Sequence, residues 1–371
     1  MKVCIVATHS FPIPMPNLHT GDVVILDLAH GLSALGHDVT VCAPEGTAWD
    51  KLLPMRASYG KYPPSSEECE EEAFALHKDH FDVFDIVHDF SVSKRVAVRC
   101  DQRGIPTCST LMGGPWRQQW PAKNLVVWSQ SHRERVLRGA TDFEGTSMPD
   151  MGGEPGTPVK DAHVVHGGID TEFYCPSDYS KSDYFLWLGR WHPARGYKQA
   201  IELAKSTGIQ LVLAGERPEN ELFANQANCA HEAEDLSSGC SNIRIEWLPK
   251  DPLHHKAKRE LYRKAKALLY TVQFHEPFGL SQVEALACGT KVVVPMLGSC
   301  PEISSLVVDP SIPGGSWEDA LGMFESSWGE WVTSPKQSAV SRQLAVERFD
   351  RKVMAANYVK QYHRMILERR R

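Results

Sequence analysis

Short apolar runs rich in Val, Ile, Leu and Phe alternate along this chain with longer stretches whose apolar residues recur at helical spacing. That rhythm predicts parallel sheets covered by helices. In the first half the predicted strands are Lys2–Thr8, Asp38–Pro44, Ile86–Phe90, Thr107–Leu111, Leu125–Gln130 and His163–His166. In the second they are Phe185–Gly189, Leu211–Gly215, Ile243–Leu248, Ala267–Val272, Lys291–Pro295 and Leu306–Asp309. The clearest helix follows the first strand, where Val23, Val24, Leu26, Leu28, Ala29 and Leu32 share a face and Gly36 ends the pattern. A last helix over Phe349–Arg371 carries an apolar stripe of Val353, Met354, Tyr358, Tyr362, Met365 and Ile366. Two stretches break the rhythm and read as loops: Pro54–Glu72, with a solvated acidic face at Glu67, Glu68, Glu70, Glu71 and Glu72, and Gly139–Pro158.

A length of 371 residues exceeds one ordinary core, so two α/β domains are expected, with the junction in the Pro- and Ser-bearing segment Thr171–Asp183. The division drawn is 1–172 together with a C-terminal helix at about 352–371, and 173–351. Doubly wound sheets take ligands outside the carboxyl ends of their strands, so a ligand is expected in a cleft between the two halves.

Composition narrows the class. Hydrophobic residues make up 42% of the chain and charged residues 23%, as in ordinary globular proteins. No apolar stretch suffices to span a bilayer, and MKVCIVATHSFP is expected to be a buried strand, not a signal peptide. Ten scattered cysteines without a C-x-x-C are expected to be reduced, mostly buried thiols in a cytoplasmic protein. Residues 1–170 hold 15 Lys/Arg against 22 Asp/Glu, and the remainder 25 against 24. An acidic first half argues against nucleic acid or an anionic membrane as partner. The absence of a broad basic amphipathic surface favours a soluble acceptor over a lipid-linked one. The sequence carries no pattern that specifies an oligomeric state.

The richest chemistry lies in FHEPFGLSQVEALACGTKVVVP, residues 274–295. Glu276 and Glu284 are separated by seven residues, with a turn at Pro277-Phe278-Gly279 and a helix expected from Leu280. A helix start offers unpaired N–H groups and partial positive charge to a phosphate. A carboxylate on either side then addresses the hydroxyls of a nucleotide sugar. A second element, FLWLGRWHPARGYKQAIELA (185–204), places Arg190 and Arg195 around a turn that bends at Gly196. Two cations beside a helix start neutralise a diphosphate without a metal. The chain has no D-x-D, and no His or Cys grouping has metal-site spacing, the His163/His166 and His254-His255 pairs included, so no metal and no cofactor are expected.

Taken together, these motifs resemble those of the family 4 retaining glycosyltransferases, which have the GT-B fold. The 274–295 segment resembles their E-x7-E signature, and Arg190 to Gly196 their R-x4-K-G element, with Arg195 where lysine is usual. VVHGGIDTEFY (164–174), VPMLGSCPEI (294–303) and the stretch 10–44 resemble further family elements, so the likeness covers nearly the whole chain. It implies two Rossmann-like domains facing a central cleft, with the last helix crossing back to the first. It also implies a nucleotide-sugar donor, a sugar or small-molecule acceptor and a retaining transfer that uses no metal.

By the same resemblance Glu284 accepts from the ribose, Glu276 from the transferred sugar, and the N–H groups of Phe278, Gly279 and Leu280 hold sugar and phosphates. Arg190 and Arg195 stabilise the leaving diphosphate, Gly21 lends a further N–H, and the base lies near Gly215–Arg217 and Leu248–Lys250. One departure stands out: Met112 lies where many members carry a histidine, and His88 is the candidate to take over a polar role. Asp22 and Asp89 read as local caps, while Trp116 and Trp120 either line an acceptor pocket or pack a loop. Three alternatives stay open. They are a non-hydrolysing nucleotide-sugar epimerase, a nucleotide-sugar-binding protein without transfer activity, and, disfavoured by the lack of G-x-G-x-x-G, a dinucleotide-dependent dehydrogenase.

Overall fold

A computed structural model describes residues 1–13, 20–58, 66–113, 123–142, 156, 158–177, 181–218, 224–249, 254–303 and 335–369. The chain forms two compact units. The N-terminal unit comprises Met1–Asp142, Gly152–Ile169 and Arg348–Arg371, and the second is mainly Asp170–Glu347.

In the N-terminal unit the elements run β1 (Lys2–Val6), α1 (Thr20–Ala34), β2 (Asp38–Pro44), β3 (Leu52–Met55), α2 (Ser66–Phe81), β4 (Ile86–Asp89), α3 (Arg95–Gln102), β5 (Thr107–Thr110), β6 (Leu125–Val127), α4 (Gln130–Arg138) and β7 (His163–Val164). Its sheet has the order β3-β2-β1-β4-β5-β6-β7, every pair parallel. The predicted strands extend further at their carboxyl ends than the ladders do. Phe90, Leu111 and Trp128 stay buried there, at 1%, 2% and 4% exposure, but lie just past the paired residues, with the Phe90 and Leu111 N–H groups still donating to the Val6 and Val126 carbonyls at 2.8 and 2.9 Å.

The stretch Pro54–Glu72 corrects the loop expectation. Leu52–Met55 pairs with β2 at the sheet edge, where Pro54 is tolerated because an edge strand has one unpaired side. Helix α2 buries Cys69, Ala73, His77 and Phe81 on one face. Glu70 leaves the acidic surface altogether: it is fully buried and accepts the backbone N–H of Ser93 at 2.7 Å and of Arg95 at 2.8 Å.

The second unit runs β8 (Phe185–Leu188), α5 (Tyr197–Thr207), β9 (Leu211–Glu216), α6 (Ala224–Ser237), β10 (Ile243–Leu248), α7 (His254–Lys264), β11 (Ala267–Leu269), α8 (Leu280–Ala287), β12 (Lys291–Val293), α9 (Cys300–Ile303) and α10 (Pro335–Phe349). Its parallel sheet has the order β10-β9-β8-β11-β12. Trp187, Trp191 and Tyr197 centre its core, with the two indoles 5.1 Å apart. The strand expected at Leu306–Asp309 lies outside the described residues.

The last helix, α11 (Arg351–Arg369), belongs to the N-terminal unit, as the resemblance implied. The Ile169↔Asp350 bridge turns the chain into it. Gly31 of α1 lets it approach, since a Cβ there would stand 2.4 Å from the Arg351 carbonyl oxygen. The hydroxyls of Tyr358 and Tyr362 then bond Thr110 Oγ1 at 2.9 Å and His88 Nδ1 at 2.7 Å.

Candidate active site

In an open parallel sheet, ligands bind where the strand order reverses, outside the carboxyl ends. In the second unit that point lies between β8 and β11, because the chain builds β9 and β10 on one side of β8 and returns to place β11 on the other. The segments leaving these two strands are Gly189–Gly196 and Tyr270–Gly279, which carry most of the sequence-predicted residues.

The first segment is shaped by close approaches. Residues Pro193–Arg195 form a single 3-10 turn, opened by His192, whose Nδ1 accepts from Ala194 N–H at 3.2 Å. Gly196 ends the turn at φ +76°, and a Cβ there would lie 1.7 Å from the Thr271 carbonyl oxygen. Thr271 Oγ1 donates to the Gly196 carbonyl at 2.6 Å, and Gln273 N–H to Ala194 O at 2.8 Å. The two exit segments are thereby stitched together.

The stitching sets Arg195 against Glu276. Arg195 Nη1 donates to Glu276 Oε2 at 2.6 Å, Tyr270 Oη donates to the same oxygen at 2.6 Å, and the guanidinium lies 5.0 Å from the Phe274 ring centre. Burial alone would lower the Arg195 pKa, but Glu276 and Tyr270 outweigh it and raise it. Burial, then the Glu276 charge, push the Tyr270 phenol well up, so it stays a donor. Arg190 keeps its side chain exposed although closely surrounded. Desolvation by those surroundings, then the Arg195 cation, bring it to about 10, still charged at neutral pH. Burial and then these two arginines lower the His192 pKa, leaving the imidazole neutral there. Two cations and one carboxylate therefore share a patch biased toward anions.

Helix α8 starts beside that patch. Gly279 precedes it at φ +83°, and neither the Gly279 nor the Leu280 N–H meets an acceptor among the described residues. Phe278 is packed at 1% exposure, and its carbonyl accepts Ser299 Oγ at 3.0 Å. The turn is clamped from behind, since a Cβ on Gly298 would stand 2.4 Å from Glu276 N. In the second turn of α8, Glu284 is 4% exposed. Lys258 Nζ lies 3.0 Å from its Oε1 and 2.8 Å from its Oε2, and Tyr262 Oη donates to Oε2 at 3.0 Å. Sequence reasoning missed Lys258, Tyr262 and Tyr270. For the first two a signal existed: Lys258, Leu261, Tyr262 and Ala265 fall at helical spacing on one face, so a lysine stood in an apolar row.

The structure thus brings Arg190, Arg195, Glu276, Phe278, Gly279, Leu280 and Glu284 into one unit at its switch point. Gly215 is different, because its missing side chain is accounted for by packing: a Cβ would meet Trp191 Nε1 at 2.7 Å and Gly189 O at 2.8 Å. Close by, His254 Nδ1 lies 3.1 Å from Glu216 Oε1, and burial, then Lys258 and His255, drop its pKa to about 4.

Gly21 and His88 belong to the N-terminal unit. Gly21 is the second residue of α1, next to Asp22, which accepts from Thr8 Oγ1 at 3.0 Å; burial raises the Asp22 carboxyl to about 6 against that bond. His88 is fully buried. Its Nδ1 is shared with Tyr362 Oη and its Nε2 with Thr110 Oγ1, both at 2.7 Å, and burial holds its pKa well below the usual value. To reach a ligand it would have to give up one of these bonds, so we leave it out of the machinery proposed below. Asp89 caps its own turn and the start of α3, taking Ser91 N–H at 2.7 Å and Ala97 N–H at 2.9 Å. Met112 is half-buried beyond β5, while Trp116 and Trp120 lie outside the described residues. Among the described residues no group of three or more His, Cys, Asp or Glu is arranged to hold a metal, and no helix is long and apolar enough to cross a membrane.

Comparison with known proteins places the fold. Over 98–99% of its length the chain superposes on three solved structures. They are AviGT4, a glycosyltransferase involved in avilamycin A biosynthesis (TM-score 0.67, 20% identity, 98% of that chain), the sucrose-phosphate synthase of Thermosynechococcus elongatus (0.74, 14%, 99%) and Anabaena HepE in complex with UDP-glucose (0.65, 14%, 100%). The fold is GT-B. Residues 176–306, which hold the residues gathered at this switch point, match the family described as Glycosyl transferases group 1. The D-inositol 3-phosphate glycosyltransferases of Mycobacterium tuberculosis and Mycobacterium bovis are 29% identical over 173 residues, which is 43% of this chain and 35% of theirs. The matched region thus spans about a third of the length of these curated relatives.

Proposed function

We propose that this GT-B protein is a retaining, metal-independent glycosyltransferase that moves a sugar from a nucleotide-diphosphate sugar to an acceptor hydroxyl. The observation that carries the proposal is the convergence of Arg190, Arg195, Glu276 and the α8 start at the switch point of the second unit. The match of 176–306 to the glycosyl transferases group 1, and the UDP-glucose complex of HepE, support sugar transfer from a nucleotide sugar.

In this reading the diphosphate lies against the N–H groups at the α8 start, with Phe278 among the donors, and against the two arginines. Glu284 takes the ribose and Glu276 the hydroxyls of the transferred sugar. The bond between the anomeric carbon and the diphosphate oxygen breaks with its electron pair on that oxygen. Arg195 and Arg190 stabilise the charge that develops there, and fixed positive groups aimed at a leaving group are commonly the largest catalytic contribution. Charge stabilisation by arginines is what makes a metal unnecessary in this scheme. The acceptor oxygen attacks from the side the leaving group departs, and a phosphate oxygen of the donor takes its proton. The anomeric configuration is thereby retained. The resemblance assigns the acceptor, a sugar or small molecule, to the N-terminal unit, with Gly21 at the start of α1 as a further N–H donor and the cytoplasm as the setting.

The test is nucleotide release from UDP-, GDP-, ADP- and dTDP-sugars, with and without EDTA, by the wild type and Glu276→Ala. Release from one donor, unchanged by EDTA and lost in the variant, is the expected result; the anomeric configuration of a product made with added acceptor then checks retention. Release abolished by EDTA would remove the metal-independent part. Absence of both release and calorimetric binding across the panel would overturn the nucleotide-sugar reading itself.

A further inference from the structure

Lys258 sits on α7 with 1% of its surface exposed, among the largest fully buried side chains of the protein. Among the described residues its ammonium has one partner, Glu284, and it reaches both carboxylate oxygens, at 3.0 Å and 2.8 Å. Taking an ammonium out of water is costly, and a buried ion pair is often no more stable than a well-packed apolar pair of similar size. Charge neutralisation could also be achieved through one oxygen. Contact with both fixes the rotation of the carboxylate plane as well as its position, and Tyr262 Oη at 3.0 Å adds a third bond on Oε2. An ionised carboxylate has about four acceptor sites; Lys258 and Tyr262 make three contacts with it, and the Tyr174 phenol also stands against the Glu284 carboxylate. The anchoring side chains come from successive turns of α7, one helix away from the carboxylate they hold.

We infer that Lys258 is a positioning residue that, with Tyr262, presets the Glu284 carboxylate for the ribose hydroxyls of the donor nucleotide. The inference rests on the nucleotide-sugar reading of this site and adds to it the part of the protein that makes ribose recognition selective. A preset carboxylate loses little freedom when the ribose arrives, and preorganisation of that kind raises affinity by lowering the cost of ordering. Its effect is confined to the hydroxyls: a nucleotide lacking them gains nothing from an oriented Glu284.

Calorimetric titration of the full chain with UDP, GDP, ADP and dTDP (the last already without a 2′-hydroxyl), each beside a counterpart stripped of its remaining ribose hydroxyls, tests this. The wild type is expected to prefer the hydroxylated form of its nucleotide by tenfold or more. Lys258→Met should cut that preference at least fivefold while leaving the affinity for the stripped form within about twofold, and Tyr262→Phe should act in the same direction more weakly. Equal losses for both forms would mean that Lys258 serves only the integrity of the unit and would overturn the inference. Should Lys258→Met fail to fold, as a thermal melt would show, Tyr262→Phe decides alone, and an unchanged preference there overturns it. A wild type that binds one nucleotide without regard to its ribose hydroxyls keeps the nucleotide site but removes the positioning role. Binding of none of the four takes away both.

Discussion

Replacing Arg195 by methionine separates what the Arg195–Glu276 contact does for the fold from what it does for the reaction. Methionine keeps most of the aliphatic volume and deletes the guanidinium. Glu276, only one-tenth exposed at its side chain, then retains Tyr270 Oη as its remaining described partner. With the nitrogen and oxygen 2.6 Å apart, the charge centres stand about 4 Å apart, worth about 4 kcal/mol at an effective dielectric of 20. Arg195 is 25% exposed, so solvent screens part of this attraction, and the surviving Tyr270 bond offsets more. We expect a loss of about 2–3 kcal/mol in the second unit, or a melting shift of about 5–10 °C for a unit of this size.

The catalytic effect is separable. In the proposed reaction Arg195 also faces the departing diphosphate, and deleting one such group costs about 3 kcal/mol, or about a hundredfold in kcat. The double variant Arg195→Met/Glu276→Gln removes the charge that has lost its guanidinium partner. It should recover most of the melting temperature and none of the rate. Scanning calorimetry of the wild type, both single variants and the double variant gives the stability coupling, and single-turnover transfer gives the rate. The reasoning is refuted if Arg195→Met melts like the wild type, or if the double variant regains activity along with stability.

Two further predictions concern the frame. Gly196→Ala should cost more than about 3 kcal/mol, because a Cβ 1.7 Å from the Thr271 carbonyl forces two strand exits apart; Gly208→Ala, at φ +72° with no atom within 4 Å, should cost only about 1 kcal/mol, and equal costs by denaturant unfolding would contradict this. His132, buried with Nε2 on the Gly113 carbonyl at 3.0 Å, is held by burial to a pKa of about 4. Its unfolded form takes up a proton below about 6.5 and the folded form does not until about 4, so its contribution is complete above pH 6.5 and is lost as pH falls between those values. Between pH 7 and pH 5, His132→Gln should lose about 2 kcal/mol less stability than the wild type, and identical losses in parallel unfolding titrations would exclude this contribution.

The strand pattern and the switch-point residues were legible because their signals are periodic and local. Buried parallel strands are nearly continuous apolar runs, and a glycine-marked turn between strand and helix leaves its spacing in the sequence. What escaped was of another kind. Leu52–Met55 carries Pro54, which signals a loop unless the strand happens to be an edge, and edges are a property of the assembled sheet. Glu70 reads as one of five surface glutamates, and only its buried bonds to Ser93 and Arg95 distinguish it. The expectation for His88 rested on its place at the end of a strand. What fills its two nitrogens comes from Thr110 and from Tyr362, the latter 274 residues away on the returning helix.

Lys258 joins both lessons, since its helix face was written in the sequence but its partner lay 26 residues further on, in a motif already given another role. A motif names the groups that meet a ligand. The groups that hold those residues in place sit on neighbouring elements, at spacings that topology sets, and a lysine standing in an apolar row is among the few marks they leave. Glu284 shows why that matters for function: a carboxylate on a helix has rotational freedom that its own motif does nothing to remove, and here the restraint comes from α7. If ribose selectivity in this protein follows Lys258 as well as Glu284, its specificity is a property of the α7–α8 pair.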